Sequence, residues 1–95
     1  MPKARAHLLI TGQVQGVYYR SYTMSEAEKL GLTGWIKNNI SGSVEVVTEG
    51  EREDIEKLIA WCYKGPPSAK VVKVEVEWHQ YKEEFDRFGV EYTKY

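Results

Sequence analysis

Two short stretches of this chain bring together residues that could do chemistry. The first, Gly12-Gln13-Val14-Gln15-Gly16-Val17-Tyr18-Tyr19-Arg20, lies between a predicted strand and a predicted helix. Glycines there permit backbone conformations closed to other residues and let the main chain approach a ligand. Successive amide N–H groups of such a loop, with a helix N-terminus behind them, form a concavity suited to an anion. Arg20 enters at the start of that helix, where a planar guanidinium can grip two oxygens of a phosphate or carboxylate. A cation at that point opposes the helix dipole, and a bound anion would relieve the mismatch. A tight strand-to-helix turn carrying a surface arginine accounts for the same residues.

The second stretch is Gly34-Trp35-Ile36-Lys37-Asn38. Asparagine is a poor strand former, so Asn38 and Asn39 at the end of a strand ask for a reason. One carboxamide offers a donor and an acceptor together and could hold a water molecule. The plainer reading is that Asn38 begins a turn made by Asn39 and Ser41-Gly42. In extended chain the two asparagines point to opposite faces, so one of them at most serves a given site.

The elements that must hold these residues are read from a hydrophobic pattern that switches between period two and period 3.6. His7 to Thr11 reads as a strand, with Leu8 and Ile10 facing one way and Leu9 the other. A loop from Gly12 to about Tyr19 leads into a helix from Ser21 to Leu30, with Thr23, Ala27 and Leu30 on one side and Gly31 as its stop. Thr33 to Asn38 and Val44 to Thr48 form a predicted hairpin across Asn39-Ile40-Ser41-Gly42. Ile55, Leu58, Ile59 and Cys62 mark the apolar stripe of a second helix, ended by Gly65-Pro66-Pro67. Lys70 to Trp78 alternates, with Val72, Val74, Val76 and Trp78 assigned to one face. Phe88, Val90 and Tyr92 alternate in a short last strand. The order is βαββαβ plus a C-terminal strand. Two helices on one face of a small, mostly antiparallel sheet is the arrangement that buries them, a ferredoxin-like α/β sandwich. That architecture hosts many unrelated functions and decides nothing about activity.

Composition narrows the choices. Ninety-five residues, 42% hydrophobic and 28% charged, suit one globular domain spanning residues 1–95. Thirteen basic residues against 14 acidic ones give a net charge of −1, without the basic excess of a nucleic-acid binder. The single cysteine, Cys62, can form neither an internal disulfide nor a zinc cluster, and it fits a reducing, cytoplasmic setting. No signal-peptide core or membrane-length apolar run is evident, and a monomer is expected. Thiol-based phosphatase chemistry is excluded because Ser68 stands where the partner arginine of Cys62 would be needed. His7 and His79 lie on separate strands without a visible partner for metal binding. Glu51-Arg52-Glu53-Asp54 and Glu83-Glu84 read as solvated surface and a helix N-terminus.

Together the two stretches resemble the acylphosphatase family. The resemblance runs through Gly12-x-Val14-Gln15-Gly16-Val17-x-Tyr19-Arg20, Gly31-x-x-Gly34-Trp35-Ile36-Lys37-Asn38 and Gly42-x-Val44, and continues to Phe88-x-Val90-x-Tyr92. It implies hydrolysis of acyl phosphates to carboxylate and inorganic phosphate, with no cofactor, no metal and no covalent phosphoenzyme. By motif position Arg20 would bind the phosphoryl group and Asn38 would orient the attacking water. The backbone amides of Gln15, Gly16, Val17, Tyr18, Tyr19 and Arg20 would complete a phosphate cradle. Tyr19 stands where the family typically has Phe, a conservative change, and two features depart from the family pattern: Asn39 stands where some relatives have Thr, and Thr93-Lys94-Tyr95 follows the usual terminal aromatic, Tyr92. The competing reading keeps the anion site without catalysis, as a phosphate- or carboxylate-binding regulatory domain.

Overall fold

The computed structural model describes residues 2–92. Strand β1 (Lys3–Gln13) is followed by α1 (Tyr19–Lys29), β2 (Thr33–Asn38), β3 (Val44–Glu51), α2 (Arg52–Lys64), β4 (Lys70–His79) and β5 (Phe88–Val90). The strands form one sheet in the order β4-β1-β3-β2-β5. Among the described residues, only the β2–β5 pairing is parallel. This is the ferredoxin-like sandwich that the alternation of periods implies, with both helices contributing to the same core.

Register explains which side chains form that core. Leu8 lies between Val46 and Val76, and Ile10 between Val44 and Val74. Ile36 continues the row opposite Val46. Into this row α2 drives Ile55, Leu58 and Cys62, all fully buried. From α1 come Tyr19, Thr23 and Ala27. Each of the larger apolar side chains contributes about 1.5–3 kcal/mol through burial. No helix among the described residues is long and apolar enough to cross a membrane.

Several expectations need correction. Strand β1 is longer than His7–Thr11, β3 continues past Thr48, and β5 stops at Val90, before Tyr92. The first helix begins at Tyr19 rather than Ser21, so Arg20 lies within its first turn. In β4, Val72 does not join the inward row: it is 80% exposed. Thr11 pairs with Lys73 but Gly12 pairs with Val71, and the bulge leaves Val72 without a partner. One extra residue reverses the parity of every side chain before it, so Val71 packs on the core instead. Glycine is required at the bulge, because Gly12 has φ +130° and a Cβ there would fall on the Lys70 carbonyl oxygen.

The connection from β4 to β5 crosses the sheet face opposite the helices. Glu49, whose side chain is 1% exposed, fastens it. Its carboxylate accepts the backbone N–H of Lys82 at 2.7 Å and of Glu84 at 2.8 Å. Arg5 reaches the same carboxylate at 3.4 Å and Glu84 at 2.6 Å. Burial alone would raise the Glu49 carboxyl, but the two amides and Arg5 outweigh it and hold the group below its usual value.

Candidate active site

Arg20 and Asn38 line a single pocket of about 270 Å³, together with Val14, Gly16, Tyr18, Tyr19 and Ser21. Their meeting follows from strand parity. Gly34, Ile36 and Asn38 alternate on β2, and Gly34 and Ile36 belong to the row that faces the helices. Asn38 therefore emerges on the helix side of the sheet, where α1 begins.

Asn39, on the opposite parity, is committed to the hairpin. Its backbone N–H donates to the Ser43 carbonyl at 2.9 Å, and its carbonyl accepts from Gly42 at 3.1 Å. Its side-chain amide donates to Ser43 Oγ at 3.0 Å.

The loop between β1 and α1 has the shape an anion cradle requires. Gly16 sits at φ +73°, with nothing within 4 Å of where its Cβ would be. Tyr18 also has positive φ, 61°, although it is not glycine. Left-handed backbone costs a non-glycine residue about 1–2 kcal/mol. Among the described residues, none of the amides from Gln15 to Tyr18 donates to another backbone carbonyl. The first N–H groups of α1 have no intrahelical acceptor by geometry. That helix has neither a side-chain cap nor an acidic residue in its first turn. Its positive end and Arg20 thus face the pocket uncompensated by protein carboxylates of that turn.

Three contacts that the sequence motifs did not announce hold the loop in place. The Gln15 side-chain amide donates to the carbonyls of Asn39 at 2.7 Å and Ser43 at 2.8 Å. The Tyr19 hydroxyl donates to the Cys62 carbonyl at 2.6 Å, and its ring packs against Trp61 with centroids 5.9 Å apart. That carbonyl belongs to the last turn of α2, and Pro66, where the next helical donor would stand, has no N–H. The tyrosine hydroxyl therefore caps α2, a task a phenylalanine at this position could not perform. Third, the Arg20 guanidinium lies 5.6 Å from the centre of the Tyr92 ring. Thr93-Lys94-Tyr95 lies outside the described residues.

The remaining chemically capable groups are engaged elsewhere. Cys62 is buried in the core, and burial pushes its thiol up to about 12. His7 donates to Glu45 at 2.6 Å, and His79 pairs with Glu77 at 2.8 Å. Among the described residues, no three His, Cys, Asp or Glu side chains converge on a point that could hold a metal ion.

Comparison with known proteins agrees with this geometry. The family model described as Acylphosphatase matches residues 6–90. A protein named acylphosphatase from Pelotomaculum thermopropionicum is 53% identical over 90 residues, covering 95% of this chain and 98% of that protein. The structure of an acylphosphatase from Coxiella burnetii superposes with a TM-score of 0.88 at 39% identity, over 94% of this chain and 93% of the other. The acylphosphatase from Bacillus subtilis gives 0.90 at 31% identity, over 94% and 99%.

Proposed function

Because this chain belongs to the acylphosphatase family, we propose that it hydrolyses the carboxyl–phosphate bond of small-molecule acyl phosphates. The observation that carries the proposal is the shared pocket of Arg20, Asn38 and the cradle loop. In this reading the amides of Gln15 to Arg20 and the Arg20 guanidinium hold the phosphoryl oxygens. Charge that develops on those oxygens meets donors already in place, which is the main contribution an enzyme makes to phosphoryl transfer. Asn38 aligns a water molecule opposite the acyl oxygen. The water oxygen forms the new bond to phosphorus as the bond to the acyl oxygen breaks. The carboxylate leaves with that electron pair, and the proton of the water passes to the phosphate. Acyl phosphates have a good leaving group, so no strong general acid is needed, and asparagine supplies orientation rather than basicity.

The reaction needs neither a metal nor a covalent phosphoenzyme in this proposal. The protein acts as a monomer in this proposal, and it works in the cytoplasm, a reducing setting that its free, buried Cys62 fits.

Hydrolysis of benzoyl phosphate in the presence of EDTA tests this. Turnover is expected in the wild type, with losses of ~10²–10³-fold in both Arg20→Ala and Asn38→Ala. Asn39→Ala is expected to lower stability more than rate, because its contacts lie in the turn. Wild-type protein that binds phosphate yet turns over no acyl phosphate would restore the regulatory anion-binding reading.

A further inference from the structure

The phosphate cradle says nothing about the acyl group attached to that phosphate, but its surroundings do. Tyr18 lines the pocket beside Arg20 and Asn38, yet it is 76% exposed. Among the described residues its hydroxyl has no hydrogen-bond partner and its ring packs on no other ring. The chain holds this ring at the pocket mouth on left-handed backbone, at φ 61° and ψ 19°. Two other exposed apolar side chains come from elements tied to the same loop. Ile40, 71% exposed, stands on the hairpin that Gln15 grips. Tyr92, also 71% exposed, lies against Arg20.

An acyl phosphate anchored by its phosphoryl group must direct its acyl group out through this mouth. We propose that Tyr18 is the platform on which that group rests, and that the protein favours acyl phosphates with flat aromatic acyl groups over short ones. An aryl ring can stack offset or edge-on against the tyrosine, whereas an acetyl group covers little of it. This inference rests on the acylphosphatase reading and names the substrate class within it.

The test compares kcat/KM for benzoyl phosphate and acetyl phosphate in wild type, Tyr18→Phe and Tyr18→Gly, with inhibition by inorganic phosphate measured alongside. Glycine suits the left-handed backbone, so the variant removes the ring without adding strain. The benzoyl-to-acetyl ratio is expected to fall by about tenfold in Tyr18→Gly, through KM, and to persist in Tyr18→Phe. Tyr18→Asn, which also tolerates that backbone, repeats the comparison if the glycine variant does not fold. A ratio that stays put, or both substrates and phosphate weakening in parallel, overturns the platform while leaving the hydrolase in place. Wild type that hydrolyses neither substrate overturns the hydrolase reading, and this inference with it.

Discussion

The side-chain amide of Gln15 is bonded to the backbone carbonyl of Asn39 at 2.7 Å, so the cradle loop and the strand end bearing Asn38 are joined by one residue. Its second N–H goes to the Ser43 carbonyl, and both donors of the amide are spent on the hairpin. Gln15→Glu puts a carboxylate against two carbonyl oxygens, and Gln15→Ala removes one donor from each, leaving the Asn39 carbonyl with the Gly42 N–H and the Ser43 carbonyl with the Asn39 N–H. Each variant is expected to lose about 1–3 kcal/mol of stability, with glutamate the worse of the two. Urea unfolding measures that cost. Steady-state kinetics should record a fall in kcat as the loop and Asn38 lose their common alignment.

Tyr19→Phe removes the donor that serves the Cys62 carbonyl. The ring still fills its place beside Trp61, so packing is retained. The expected result is a loss of about 1–3 kcal/mol, the cost of leaving a buried acceptor unpaired. A thermal unfolding comparison checks this, and activity should follow the folded fraction.

Glu49 predicts how acid acts on the protein. Its carboxyl is held below the ordinary value of 4.5, because the amides of Lys82 and Glu84 and Arg5 together outweigh the effect of burial. The folded state therefore takes up this proton less readily than the unfolded chain does. The stabilisation is complete above the unfolded value and is lost as pH falls through the folded one. Unfolding midpoints measured from about pH 7 down to about pH 3 should decline more steeply in wild type than in Glu49→Gln, which has no proton to gain. The lowered carboxyl of Glu45 is present in both proteins and cancels in the comparison.

Gly12 and Gly16 should separate folding from binding. A methyl at Gly12 collides with backbone of β4, so Gly12→Ala is expected to be strongly destabilised. At Gly16 the space is open, and Gly16→Ala is expected to lose only the ~1–2 kcal/mol of left-handed strain. The new methyl would nonetheless crowd the cradle, so inorganic phosphate should inhibit this variant less well than wild type. Calorimetry and phosphate inhibition together distinguish the two effects.

Much of this architecture was legible where side chains repeat with a clear period. Strand β2 runs from Thr33 to Asn38 as expected, and the Ile55-Leu58-Cys62 stripe is buried. The ends of β1 were not legible: at one end Ala4 and Ala6 pack on the core but are too small to stand out as an apolar alternation, and at the other Gly12 and Gln13 are exposed and join the sheet through their backbone. Val72 failed for a different reason: alternation carries parity, and a bulge resets parity without marking the composition. In the site, the types of Arg20 and Asn38 hinted at their chemistry, but their spacing could not bring them together. Their pairing came from the family motif. The roles of the Gln15 side chain and the Tyr19 hydroxyl depend on carbonyls distant in sequence, whose availability appears only after folding.

The break at Val72 also bears on how this sheet ends. Strand β4 is one margin and β5 the other. A flat margin with regularly spaced amides and carbonyls is a template on which another chain can extend the sheet. Here one margin is interrupted where Gly12 and Val71 pair out of step, and it displays Lys70, Lys73, Glu75 and Glu77 to water. The other consists of only three residues, Phe88–Val90. The bend that spoils the alternation of β4 thus guards the folded chain against fibrous growth, and an uninterrupted β4 would be the more aggregation-prone design.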